Sequence, residues 1–245
     1  MKLPLFLLSS LMGIVTALSQ TPANRPNTAI VPAPQNLWMR THQALNKIAD
    51  TGKGDLMFLG DSITAGWKSQ AALYNAEFGK YHPVNFGIGG DCTENILYRL
   101  QNGNLSKIRP KVIVLLIGTN NLNLNSNTPQ ETFEGVQAII KEIHERSPDS
   151  KILLLGILPR EEKPGGRLRT AVEETNKLLP SLNDGKTVFY LDIGPRFLQP
   201  DGSISREVMT DFVHPAAKGY QIWAEAIREP LSALFAGKPL PSAAQ

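Results

Sequence analysis

The chain has 245 residues, of which 42% are hydrophobic and 19% charged, and its 25 Lys and Arg against 22 Asp and Glu give a net charge of +3. One large domain fits this length better than two, because domains average about 100–200 residues. The apolar content excludes a wholly disordered or collagen-like chain. The near balance of charge argues against nucleic acid as the main partner. A single cysteine excludes an internal disulfide and a four-thiolate zinc site.

Residues 1–19 are predicted to be a signal peptide. Lys2 supplies the positive charge, residues 3–18 are mostly apolar, and Ala17 and Ser19 are small residues at the positions that a signal peptidase reads. The apolar run is short for a membrane span, which needs about 20 residues, and an uncleaved anchor is the alternative. We therefore expect a secreted or periplasmic protein with no stable membrane span after cleavage.

The rest of the chain is predicted to divide into a Pro-rich linker at 20–34, one domain at 35–236 and a flexible tail at 237–245. Within the domain, short apolar runs bounded by turn residues predict five strands, at 56–59, 84–88, 112–117, 152–158 and 188–193. Stretches with helical spacing lie between these runs, before the first and after the last. This alternation predicts an α/β fold, in which a five-stranded parallel sheet forms the middle layer of a three-layer α/β/α sandwich.

Small polar residues follow each of the first three predicted strands: Gly60-Asp61-Ser62, Gly89-Gly90-Asp91 and Gly118-Thr119-Asn120-Asn121. The ends of parallel strands lie at one edge of the sheet, where open α/β sheets bind ligands. Asp211 and His214 precede the last predicted helix. A serine, a glycine backbone, an amide and an Asp/His pair are the components of nucleophilic acyl transfer.

These blocks resemble the SGNH, or GDSL, hydrolase family, and most of all the esterases that are like the catalytic subunits of platelet-activating-factor acetylhydrolase. The segments at 85–91 and 111–121 and Leu158-Pro159-Arg160 carry the resemblance further. In combination they are specific, although Gly-Asp-Ser alone is a weak motif. The resemblance implies a flavodoxin-like SGNH hydrolase fold and a carboxylic-ester hydrolase. Cys92 departs from it, because the family leads us to expect threonine there.

The resemblance also implies roles for individual residues. Ser62 would be the nucleophile, His214 the general base, and Asp211 the acceptor for the ring N–H of His214. The backbone N–H groups of Ser62 and Gly90 and the side-chain amide of Asn120 would form an oxyanion hole. Helix capping and turn formation are the structural alternatives for these residues.

Four more residues are candidates for contact with the substrate: Asp61, Trp67, Asn121 and Arg160. Core packing is the alternative for Trp67, and loop support is the alternative for Asn121 and Arg160. His42, His82 and His144 lack metal-ligand spacing, so we expect neither a metal nor another cofactor. Cys92 is predicted to be a small buried hydrophobe rather than a nucleophile.

Three functions fit this sequence. The first is an esterase that removes short acyl groups, above all acetyl, from carbohydrates or other polar alcohols, so that a small ester or an acetylated carbohydrate is the expected substrate. The second is a lysophospholipase, a thioesterase or a phospholipid deacetylase. The third is a binding module on a hydrolase fold without activity. The absence of Gly-x-Ser-x-Gly around Ser62 argues against an α/β-hydrolase lipase.

Overall fold

The computed structural model describes residues 25–35, 38–238 and 240. The predicted signal peptide at 1–19, the start of the predicted linker and most of the predicted tail lie outside the described residues. Within those ranges, five parallel strands form one sheet in the order β2-β1-β3-β4-β5. The α/β fold and the five-stranded parallel sheet are thereby confirmed.

The strands lie within a few residues of the predicted positions: β1 Leu56–Gly60, β2 Pro83–Gly87, β3 Val112–Leu116, β4 Lys151–Leu155 and β5 Val188–Leu191. The fourth differs most, because it ends at Leu155 rather than at residue 158. Residues 156–160 instead leave the sheet and lead to the loop that contains Arg160.

The helices are α1 Met39–Asp50, α2 Ser62–Ala65, α3 Ala71–Phe78, α4 Thr93–Arg99, α5 Thr119–Asn123, α6 Pro129–Arg146, α7 Arg167–Leu178 and α8 Ala217–Phe235. The sequence did not predict α2, α3 and α5. Two of them have only four and five residues, and α3 buries Phe78 alone, so none shows an apolar period. Among the described residues, no helix is both long and apolar enough to cross a membrane.

Helices cover both faces of the sheet, because successive side chains of each strand point to opposite sides. Met57 and Ile113 belong to the core that includes buried residues of α4, α6 and α7. Phe58 and Val114 belong to the second core, which includes Trp223 and other residues of α8. This arrangement is the predicted three-layer sandwich.

After β1 the chain adds β2 on one side of it and then crosses to add β3 on the other side. The carboxyl ends of β1 and β3 are therefore the topological switch point where such folds bind ligands. In the register of the sheet, Gly60 of β1 pairs with Gly87 of β2 and with Leu116 of β3. The three strands therefore end level with one another. The loops that carry Ser62, Gly90 and Asn120 follow at this edge.

The described part of the predicted linker is docked on the domain. Ala29 is fully buried, and its carbonyl accepts a hydrogen bond from Oγ1 of Thr93 in α4 at 2.8 Å. The amide of Asn27 donates to the carboxylate of Glu134 in α6 at 2.7 Å. The Pro-rich composition that is typical of linkers did not reveal these contacts, which form over a large sequence separation.

Candidate active site

Ser62 is the first residue of α2, directly after β1. The carboxylate of Asp61 caps this helix by accepting a hydrogen bond from the N–H of Ile63 at 2.9 Å. A side chain at Gly87 could not be accommodated, since its Cβ would lie 2.2 Å from the backbone nitrogen of Ala65. Glycine at 87 therefore lets α2 pack close against β2, which holds Ser62 at the edge of the sheet.

The hydroxyl of Ser62 meets a histidine that is 152 residues away in the sequence. Its Oγ lies 2.8 Å from Nε2 of His214, and Nδ1 of the same ring lies 2.7 Å from Oδ2 of Asp211. When Nδ1 carries the ring proton, its N–H donates a hydrogen bond to Asp211. Nε2 is then free to accept the proton of the Ser62 hydroxyl. The three predicted residues thus lie in one hydrogen-bonded row.

Asp211 also organises its own loop. Its Oδ1 accepts hydrogen bonds from the backbone N–H groups of Val213 at 3.1 Å and His214 at 2.8 Å. Desolvation opposes the charged form of Asp211, but the hydrogen bonds from His214 and Val213 outweigh it and lower the pKa of this carboxyl to about 2. Asp211 is therefore charged at neutral pH, as an orienting partner for a histidine requires.

The loops that follow β1, β2 and β3 carry three candidate donors for an oxyanion. Within the described residues, the backbone N–H groups of Ser62 and Gly90 donate to no other backbone group. Nδ2 of Asn120 donates to the carbonyl of Asp91 at 3.0 Å, and its second hydrogen has no acceptor in the part of the chain that the structure describes. Gly90 has a φ of +80°, a backbone conformation that favours glycine. Lack of space is not the reason for glycine here, since an added Cβ would meet nothing closer than 3.9 Å.

A buried ion pair underlies these donors. Nη2 of Arg99 lies 2.6 Å from Oδ2 of Asp91, and both side chains are fully buried. Nη1 of Arg99 donates to the carbonyl of Phe86 at 3.0 Å. Burial raises the pKa of Asp91, and the adjacent guanidinium opposes this shift. Sequence reasoning missed Arg99, although a charged residue in the apolar stripe of α4, which includes Ile96, was a signal for it.

Asn121 holds the loop after β3 against the start of α4. Its Nδ2 donates to Oγ1 of Thr93 at 2.8 Å and to Oδ1 of Asn127 at 3.2 Å. Its Oδ1 accepts from the N–H of Thr93 at 3.0 Å. The side chain is fully buried, so the structure places Asn121 as loop support and not in contact with a substrate.

Asp61 and Trp67 were also candidates for contact with the substrate. The structure does not place them on the surface of the site, because each is only 1% exposed. Trp67 packs in the core, with its ring 4.7 Å from that of Tyr220 and 5.3 Å from that of Trp223. Asp61 caps α2, and burial raises the pKa of its carboxyl to about 7.

Arg160 supports the loop that carries Asn120. The side chain is mostly buried, and its Nη1 donates to the carbonyl of Thr119 at 3.2 Å and to Oγ1 of Thr119 at 3.0 Å. Cys92 is buried at the start of α4, and desolvation raises the pKa of its thiol. Within the described ranges, no three His, Cys, Asp or Glu side chains gather as metal ligands would.

Residues 58–222, more than half of the chain, match the model of the GDSL-like lipase/acylhydrolase family. The chain belongs to this family. Among relatives of this GDSL hydrolase, platelet-activating factor acetylhydrolase IB subunit alpha2 of Rattus norvegicus is 38% identical over 219 residues, which are 89% of this chain and 93% of the relative. The predicted resemblance is confirmed, and the protein is a carboxylic-ester hydrolase.

Solved structures of other proteins have the same fold as this GDSL hydrolase. A GDSL-like lipase from Bacteroides thetaiotaomicron is 19% identical, has a TM-score of 0.62, and covers 86% of this chain and 100% of its own. A catalytic mutant of an acetylxylan esterase from Geobacillus stearothermophilus is 18% identical, has a TM-score of 0.56, and covers 71% of this chain and 92% of its own. The predicted SGNH hydrolase fold is thereby confirmed.

Proposed function

We propose that the protein hydrolyses carboxylic esters with Ser62 as the nucleophile, His214 as the general base and Asp211 as the residue that orients His214. The observation that carries this proposal is the row of two hydrogen bonds, 2.8 Å from Ser62 to His214 and 2.7 Å from His214 to Asp211. A free serine hydroxyl is a weak nucleophile, and a base within hydrogen-bond reach activates it.

In the first half of the reaction, Oγ of Ser62 attacks the ester carbonyl while its proton passes to Nε2 of His214. The negative charge that forms on the carbonyl oxygen is stabilised by the N–H groups of Ser62 and Gly90 and by the free hydrogen of the Asn120 amide. The positive charge that forms on His214 is balanced by Asp211. His214 then gives its proton to the leaving alcohol, and the acyl group stays on Ser62.

In the second half, a water molecule gives a proton to Nε2 of His214 and attacks the acyl carbonyl. The same donors stabilise the second tetrahedral intermediate. When it collapses, His214 returns the proton to Oγ of Ser62, and the carboxylic acid leaves. The enzyme is regenerated without any net change in its own protonation.

The substrate class that we propose is a short acyl ester, above all acetyl, on a carbohydrate or another polar alcohol. Two proteins that resemble this chain are named as an acetylhydrolase and an acetylxylan esterase, and both names concern acetyl groups. The side chains of His214 and Asp211 are 47% and 55% exposed. This exposure supports a bulky polar alcohol, since an open site leaves room for the part of the substrate beyond the ester.

Deacetylation of a phospholipid is the second candidate. It is supported by the 38% identity with the rat platelet-activating factor acetylhydrolase subunit. A lysophospholipase differs from it by removing a long acyl chain, and a thioesterase differs from it by cleaving the ester of a thiol. The third hypothesis, a binding module without activity, is disfavoured because Ser62, Gly90, Asn120, Asp211 and His214 are all present.

Rates on p-nitrophenyl acetate, butyrate and longer esters test the proposal, with purified Ser62→Ala as the control. We expect the acetyl ester to be cleaved fastest, acetate to be released from acetylated xylan, and Ser62→Ala to be inactive on each. A preference for long acyl chains would contradict the substrate class. Faster release from an acetylated phospholipid than from xylan would favour the second candidate.

We also propose that the protein is exported, on the grounds of Lys2, the apolar residues 3–18 and Ser19. Expression of the full chain with cell fractionation, followed by N-terminal sequencing, tests this proposal. We expect the mature protein to begin at Gln20 and to be found outside the cytoplasm. A full-length protein that stays in the cytoplasmic fraction would contradict it.

A further inference from the structure

Residues 25–35, which we call the N-terminal strap, run over the first turns of α4 and α6. The N–H of Ala33 donates to the carbonyl of Glu94 at 3.1 Å, and the carbonyl of Ala33 accepts from Nδ2 of Asn95 at 2.9 Å. Gly135 of α6 leaves room for both Thr93 of α4 and the strap, because a Cβ there would clash with the side chain of Thr93 and lie 2.9 Å from the carbonyl oxygen of Ala29. The strap is therefore a fitted part of the domain.

The strap brings Gln35 to the loop that contains Gly90. Nε2 of Gln35 lies 3.3 Å from the carbonyl oxygen of Gly90 and 3.2 Å from Oδ1 of Asn95. Both hydrogens of this amide are thus directed at acceptors. Oδ1 of Asn95 also accepts from the N–H of Cys92 at 2.8 Å, so the same small network holds the start of α4.

Gln35 completes the fixation of the peptide between Gly90 and Asp91. The N–H of Asp91 donates to the carbonyl of Ile88 at 3.3 Å, whereas the carbonyl on the other side of this peptide is held by Gln35. The next carbonyl, that of Asp91, accepts from Asn120. Gly90 has a φ of +80° and no side chain to limit its backbone, so these hydrogen bonds are what restrain it.

We propose that Gln35 is a positioning residue for ester hydrolysis, which acts by fixing the Gly90–Asp91 peptide and with it the direction of the Gly90 N–H. This inference rests on the proposed function, in which that N–H stabilises the oxyanion. A preorganised donor costs no reorganisation when the charge forms. Gln35 therefore favours the transition state more than the bound substrate, and its loss lowers kcat with little change in KM.

The variant Gln35→Leu removes both donated hydrogen bonds and keeps a side chain of similar bulk. We expect kcat for p-nitrophenyl acetate to fall about tenfold, which is less than the loss of a whole oxyanion donor, while KM stays within about twofold. The affinity for a boronic acid, whose tetrahedral adduct on Ser62 imitates the intermediate, falls in parallel. A role limited to stability would lower the melting temperature and leave the kcat of the folded enzyme and the boronate affinity unchanged.

Gln130→Leu is the matched control, since Gln130 is an exposed amide of α6 that bonds Glu134 at 3.0 Å, and we expect wild-type kinetics. Gln35→Asn keeps an amide that is one methylene too short, and it applies the same criterion should Gln35→Leu not fold. Unchanged kcat and boronate affinity in the folded Gln35 variant would overturn the inference. An active Ser62→Ala variant would overturn the proposed function itself. An inactive Ser62→Ala variant together with normal Gln35 variants would overturn only this inference.

Discussion

The side chains of His214 and Asp211 are 47% and 55% exposed, whereas Asp91 and Arg99, which lie beneath the proposed oxyanion donors, are fully buried. The first region uses local contacts: Asp211 is three residues from the histidine that it orients. The second region depends on contacts between separate elements, since Arg99 in α4 reaches the carbonyls of Phe86 in β2 and Gly60 in β1.

This difference in burial separates the effect of a substitution on the rate from its effect on the stability. An exposed reacting group can be replaced at a small cost in stability and a large cost in rate. A buried supporting charge behaves in the opposite way, because removal of one partner leaves the other charge unpaired in the protein interior. Substitutions in the two regions should therefore affect the kinetics and the free energy of unfolding differently.

Among the substitutions that compare these two regions, Asp211→Asn should have the largest effect on the rate. The amide can still accept from the N–H groups of Val213 and His214, but it lacks the charge that balances the His214 imidazolium, so kcat should fall by about 10⁴-fold. The melting temperature should change little. Asp201→Asn is the matched control, because Asp201 accepts from the N–H of Ser203 in another exposed turn and should leave kcat at the wild-type value.

Asp91→Asn should have the largest effect on stability. It leaves the buried guanidinium of Arg99 without its carboxylate, and the free energy of unfolding in urea should fall by about 3–5 kcal/mol. Glu77→Gln breaks the exposed pair between Glu77 and Arg228, which lies at 2.8 Å, and should cost no more than about 1 kcal/mol. Equal losses in the two variants would remove the distinction between the regions.

Asn120→Ala lies between these extremes, since the residue is half-buried and its amide is both a proposed donor and a contact to Asp91. We expect kcat to fall by about 10²–10³-fold, the usual cost of one lost oxyanion donor. Asn123→Ala, in the same short helix and on its exposed side, should be normal. A kcat for Asn120→Ala within a factor of two of wild type would exclude the proposed donor.

The last prediction concerns the pH dependence of stability and Asp61. Burial raises the pKa of this carboxyl to about 7, whereas an aspartate in an unfolded chain titrates near ~3.9. The folded state therefore binds this proton more tightly than the unfolded chain does. Between about pH 4 and 7 the unfolded chain loses the proton while the folded protein keeps it, so the free energy of unfolding falls as the pH rises. Relative to Asp61→Asn, the free energy of unfolding of the wild type should fall by about 1.4 kcal/mol per pH unit at most. Parallel urea-unfolding curves over this range would contradict the shift.

Sequence patterns predicted the strands, and the resemblance to the GDSL family supplied the proposed roles of Ser62, Asp211 and His214, because both have short local signatures. Gly60-Asp61-Ser62 directly follows an apolar run, and Asp211 and His214 are three residues apart. The residues that hold the site were harder to predict. The ion pair of Arg99 with Asp91 and the burial of Trp67 depend on how α4 and α8 pack against the sheet, which residue spacing does not specify.

The N-terminal strap was missed for a similar physical reason. Its composition is typical of a linker, yet Thr93 bonds to Ala29 over a separation of 64 residues. The fit also involves Gly135, where a Cβ would clash with Thr93 as well as with Ala29, and nothing near the strap in the sequence indicates this. Local composition thus does not reveal the surface on which this segment lies.

Reaction of the purified protein with a p-nitrophenyl phosphonate tests the central claim most directly. The account predicts a single covalent adduct by intact mass, located at Ser62 by peptide mapping. His214→Ala should be labelled at least about 100-fold more slowly, because the base that activates the hydroxyl is gone. An adduct at another residue, or wild-type turnover of p-nitrophenyl acetate by Ser62→Ala, would contradict the proposed mechanism.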